Sequence, residues 1–205
     1  MKHFKRISAF ILTGVMLLCL ASCSSSDLEP VAFAEKFNKK SDTYQIDTTK
    51  FVEIKLSDGS KKRTYTFRSD DSNIGSFTLT AYVGANSDYV DHLSLILPLD
   101  KLSLSGLLGE EEEEGTPIPA ERKNAFKELF LALAQSYTGA SASNAESYFE
   151  EMGLNSDSAY SEKKTTEKVY GNYTFIFQVS SLTSSLKINN NKLYQADSDS
   201  ESSAS

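Results

Sequence analysis

Several stretches of the chain alternate apolar and polar side chains with a period of two, and a period of two commits a chain to half-buried β-strands. The clearest is Phe77, Leu79, Ala81 and Val83 interleaved with Thr78, Thr80 and Tyr82. Tyr173, Phe175, Phe177 and Val179 repeat it, as do Leu93, Leu95 and Leu97 within Val90 to Leu97, and Val52, Ile54 and Leu56 within Phe51 to Leu56. Asp58-Gly59 separates the last of these from Thr64-Tyr65-Thr66-Phe67, and Gly171-Asn172 separates Lys168-Val169-Tyr170 from Tyr173. Both dipeptides are hairpin turn signals. A final short strand is expected around Leu186 and Ile188. The four strands between Phe51 and Leu97 therefore predict an antiparallel meander.

Helical spacing marks three further segments. Phe33 and Phe37, flanked by Ala32 and Ala34, predict a short helix over Pro30 to Lys40. After Pro117 and Pro119, the residues Phe126, Leu129, Phe130, Leu133 and Tyr137 recur at three and four until Gly139 offers a stop. Ser143-Asn144-Ala145-Glu146 has capping-box spacing, Ala145, Tyr148, Phe149 and Met152 follow on one side, and Gly153-Leu154 fits a Schellman ending. These signals predict an α+β fold, an antiparallel β-sheet with helices packed on one face. Gly75-Ser76-Phe77-Thr78-Leu79 matches Gly171-Asn172-Tyr173-Thr174-Phe175 in pattern, which raises a second arrangement of two similar αβ halves, 30–100 and 117–195. With 205 residues, 40% hydrophobic and 24% charged, the chain is no collagen, coiled coil or wholly disordered polymer.

The first residues read as an address. Lys2, Lys5 and Arg6 precede an apolar run from Ile7 to Leu20, which is too short to span a bilayer permanently. The run ends in Leu20-Ala21-Ser22-Cys23, which resembles the lipobox of bacterial prolipoproteins. That resemblance covers residues 1 to 23 only. It implies lipidation of Cys23, removal of residues 1–22 as a signal peptide, and a lipid-anchored location on the extracytoplasmic side of a bacterial membrane. Residues 23–29 would then be the lipidated Cys and a polar tether, 30–195 the α+β domain, and 196–205 a disordered acidic Ser-rich tail. Loss of the leader removes three basic residues and no acidic one, moving the formal charge from −7 to −10. Such a field repels phosphate backbones and argues against nucleic acid. Cys19, the other Cys, leaves with the leader, so disulfides and thiolate chemistry are not expected of the mature chain.

Candidate chemistry is sparse. His92, the only His outside the leader, is expected to share a half-exposed strand face with Ser94 and Ile96. One His per chain excludes a His-cluster metal site, and no catalytic or metal residue is assigned. Glu110 to Glu114 and the acidic run 197–201 read as solvated charge. Lys61, Lys62 and Arg63 read as an exposed edge that discourages sheet aggregation, or as a contact for anionic head groups. Tyr82, Tyr89 and Tyr170 suggest a stacking surface, set against the simpler reading of rim residues. No phosphate loop, nucleophile elbow or dinucleotide fingerprint occurs. The sequence thus predicts a lipoprotein without a cofactor and without enzymatic activity. Its function would be a binding or protein-interaction module, with membrane lipid held through Cys23 and a protein, peptide or envelope component as partner. The alternatives are a cell-envelope hydrolase using carboxylates and a purely structural envelope protein.

Overall fold

The computed structural model describes residues 28–68, 71, 74–98, 118–161, 164–180 and 183–194. The alternating runs form strands β1 (Val52–Lys55), β2 (Lys61–Arg68), β3 (Ser76–Val83), β4 (Val90–Pro98), β5 (Thr165–Tyr170), β6 (Tyr173–Val179) and β7 (Thr183–Asn190). They make one seven-stranded sheet in the order β1-β2-β3-β4-β7-β6-β5, antiparallel at every step. The meander over β1 to β4 and the α+β class are as the alternation predicts. Gly59 in the β1–β2 turn and Gly171 in the β5–β6 turn have φ of 91° and 61°, a region where a Cβ is strained.

The in-phase residues of five strands meet on one face. Tyr65 and Phe67, Phe77 to Val83, Leu93 to Leu97, Phe175 and Phe177, and Leu186 and Ile188 are all buried there. Helix α1 (Pro30–Asn38) covers one side of this face, with Phe37 stacked on Phe67 at 5.7 Å between ring centroids. Helix α2 (Ala120–Thr138) runs along β6, placing Phe126 on Phe177, Phe130 on Phe175 and Tyr137 on Tyr173. Helix α3 (Ala142–Glu151) closes the layer by setting Phe149 edge-on to Phe130 at 5.2 Å. At about 1.5–3 kcal/mol for each large side chain removed from water, this layer dominates the folding energy. The Tyr137 hydroxyl donates to the Val90 carbonyl at 2.8 Å, pinning α2 to the sheet.

Helix ends differ in detail from the sequence expectation. Pro119 sits at the N-cap of α2, one residue before the first turn. Ser141, and not Ser143, caps α3, accepting a hydrogen bond from the Asn144 amide. Ser143 loses because the helix has already begun at Ala142. The Schellman ending is present: Gly153 N–H donates to Glu150 and Leu154 N–H to Phe149. A four-residue helix, α4 (Ser158–Ser161), was not foreseen, being too short to show a period. Tyr160 anchors it by donating to the Leu154 carbonyl at 2.8 Å.

The folded part begins no later than Leu28, earlier than the Pro30 boundary expected. Leu28 is buried and its carbonyl accepts from the Val90 amide, so it belongs to the core and not to a polar tether. The two segments that match in pattern enter β3 and β6, which lie at equivalent places on either side of the central β4–β7 pair. Their helices differ: among the described residues, one precedes β1 and three precede β5. No helix among the described residues is long and apolar enough to cross a membrane. Cys23, the Glu110 to Glu114 run and residues 196–205 lie outside the described residues.

Candidate functional site

The sheet has a second face, and among the described residues no helix lies across it. Register defines its rows. One runs Val52, Thr64, Thr80, Ser94, Lys187, Ile176, Glu167, and the next Ile54, Lys62, Tyr82, His92, Asn189, Thr174, Val169. A third holds Thr66, Thr78, Ile96, Ser185, Gln178 and Thr165. Hydroxyls dominate, with solitary β-branched apolar residues among them. Thr64 and Thr80 face each other with their Oγ1 atoms 3.3 Å apart.

The second row gathers an aromatic cluster. The His92 ring stacks on Tyr82 with centroids 3.9 Å apart, and Tyr194, from the turn after β7, meets His92 edge-on at 5.0 Å. Lys62 lies over the Tyr82 ring at 5.1 Å. Lys187 lies over Tyr194 at 4.3 Å and donates to its hydroxyl at 2.9 Å. Cations over aromatic faces gain from the ring quadrupole, by about 0.5–1 kcal/mol at exposed sites.

His92 lies on the predicted face with Ser94 and Ile96, but it is not a plain surface His. Its side chain keeps 13% of its exposure, because Tyr82 and Tyr194 cover it from two sides. A register shift at Tyr82/Val83 places Val83 opposite Val90 and leaves Asp91 as the extra residue of a bulge. That bulge re-aims Asp91, which lies 2.7 Å from His92 Nδ1. A carboxylate accepts, so Nδ1 carries the proton and Nε2 is left as an acceptor. Burial lowers the His92 pKa below its ordinary 6.5; Asp91 opposes this, and Lys187 and Lys62 lower it further. Beside His92, Asn189 is 6% exposed, and its side-chain oxygen has no hydrogen-bond partner among the described residues. Two acceptors, two cations and two tyrosines thus share one patch.

The Tyr82, Tyr89 and Tyr170 surface is not assembled. Only Tyr82 reaches the open face; Tyr89 is exposed between β3 and β4. Tyr170 points to the helix layer, stacked on Tyr148 at 3.8 Å, and burial raises its pKa. The basic triplet is split as well. Lys62 faces the open side, while Lys61 and Arg63 face the helix side of β2, an interior strand, so the triplet is not a sheet edge. Lys61 and Arg63 line a cleft of about 340 Å³ with Glu29, Pro30, Val31, Glu53, Val83 and Asp88. Glu53 is committed there to an ion pair with Arg63, whose guanidinium covers Phe51 at 4.5 Å. Among the described residues no group of three or more His, Cys, Asp or Glu is placed to hold a metal ion.

Tyr194, Lys187 and Asn189 were missed in the sequence, since β4 and β7 are about a hundred residues apart in the chain. The available signal was phase, because Lys187 and Asn189 are out of step with Leu186 and Ile188. The chain matches no known protein family, no curated protein and no solved structure.

Proposed function

We propose that this protein is a bacterial lipoprotein anchored through Cys23 on the extracytoplasmic side. Its open sheet face would be a binding surface for a protein or peptide of the cell envelope. The observation that carries the reading is the Tyr82–His92–Tyr194 cluster, flanked by Lys62 and Lys187 on a face that none of the described helices covers. Tyrosines supply contact area at low conformational cost and retain a hydroxyl for hydrogen bonds, which suits a reversible interface. The surrounding Thr and Ser hydroxyls serve backbone groups of many sequences equally well. The Leu20-Ala21-Ser22-Cys23 run supports the anchor, and two acyl chains hold a domain at a bilayer without a spanning helix.

Photo-crosslinking on intact cells tests this reading. A crosslinker at Thr78 on the open face should capture a defined partner, and one at Glu128 on the helix layer should not. Tyr82→Ala with Tyr194→Ala should cut capture by about tenfold or more with the fold retained. Equal capture from both sides would overturn the binding reading. Labelled fatty acid that fails to enter the protein while Cys23 is intact would overturn the anchor.

A further inference from the structure

Strand β1 is one border of the sheet, and among the described residues no strand or helix covers its outer edge. All four of its residues are exposed, with Val52 at 61% and Ile54 at 50%. Its free backbone groups can be located. The Leu56 amide donates to the Ser60 carbonyl, so even-numbered residues bond to β2 and the odd-numbered Glu53 and Lys55 turn N–H and C=O outward. An unpaired row of this kind is a template for another strand.

We infer that β1 is a self-pairing edge, joining two copies of this chain through antiparallel β1 strands related by a two-fold axis at Ile54. Charge selects this register over its neighbours. An antiparallel pair must set outward-pointing residues opposite one another, so Glu53 or Lys55 faces Glu53 or Lys55 of the other copy. Centring on Glu53 opposes two carboxylates, and centring on Lys55 opposes two ammonium groups. Centring on Ile54 sets Glu53 against Lys55 of the other copy twice, as hydrogen-bonded pairs that are also ion pairs. The same register places Val52 beside Leu56 of the other copy and Ile54 on Ile54, shielding part of their exposed apolar surface from water. Glu53 takes part through Oε1, since Oε2 faces Arg63.

The opposite border shows the contrast. By the same parity, β5 turns Thr165, Glu167 and Val169 outward, and Val179 N–H donating to Lys164 fixes that phase. The two registers that would pair β5 with itself along most of its length oppose Glu167 to Glu167 or Lys168 to Lys168. One border is closed to self-pairing by charge and the other is complementary to itself. The resulting dimer has a continuous sheet whose open faces lie side by side.

Sedimentation velocity over about a hundredfold range of protein concentration should show a reversible monomer–dimer equilibrium. Lys55→Glu should shift it toward monomer by about tenfold, with unchanged circular dichroism because Lys55 is exposed. Glu53→Lys combined with Lys55→Glu should recover dimer, since the exchanged charges remain opposed across the axis. On mild oxidation, Ile54→Cys should join two copies by a disulfide between their substituted positions, identified by peptide mapping, as the unbonded pair at the axis brings Cα atoms to about 4.5 Å. A chain that stays monomeric throughout would overturn the inference, as would a dimer that is indifferent to Lys55→Glu and that Ile54→Cys leaves without a crosslink.

Discussion

Leu95 and Ile96 are neighbours on β4, yet they inhabit different environments. Leu95 has no exposure, under the helix layer; Ile96 keeps 38% on the open face. The contrast extends over the whole sheet. One side is Phe, Leu and Val meshed with α1, α2 and α3, and the other is Thr, Tyr, His and Lys with none of the described helices folded over them. Packing the first side supplies the core, so composition on the second is less constrained by stability. The open face also holds His92 stacked on Tyr82 and met edge-on by Tyr194.

The sharpest challenge to this division is Leu95→Ala, which should cost about 3 kcal/mol by urea denaturation, because the cavity it leaves is sealed. A loss under about 1 kcal/mol would mean the helix layer does not hold the sheet as described. The pH dependence of the open face comes next. Burial holds His92 below 6.5, so the unfolded chain takes up the proton first as pH falls. Stability associated with His92 is therefore complete above pH 6.5 and declines as pH drops through the folded-state pKa. An NMR titration should place the imidazole below 6.5, and Lys187→Met should raise it; a value above 6.5 would break the account of the cluster. The smallest expected effect is Ile96→Thr, within about 0.5 kcal/mol of the parent. A large loss there would show that something covers the face.

Much of the fold was legible because most strands carry their own period, and in-phase positions such as Phe77 and Leu95 proved to be the buried ones; β1 is the exception, its alternating Val52 and Ile54 lying exposed on the open face because register puts them opposite Thr64 and Lys62. Helix α2 was equally plain from Phe126 to Tyr137. Caps were less so, since Ser141 and Ser143 both precede the same apolar stripe. The candidate site was only partly visible. Phase placed His92 opposite the Leu row, but nothing local brings Tyr82, Asn189 and Tyr194 to it. Those contacts depend on β4 pairing with β7, a choice made by the whole sheet. Tyr170 was misplaced for a similar reason, as the two-residue Gly171-Asn172 turn puts it in register with Tyr173 and hence under the helices.

The burial of Leu28 beside Val90 has a further consequence for an anchored chain. Four residues lie between Cys23 and Leu28, so five Cα steps make a leash of at most about 18 Å. It is fastened at the end of the sheet that also bears the Gly171-Asn172 turn and Asn191, the end nearest Tyr82 and His92. In the lipid-anchored reading, the aromatic patch patrols a shallow layer just above the head groups. On that same reading, a partner of the patch would meet it close to the bilayer.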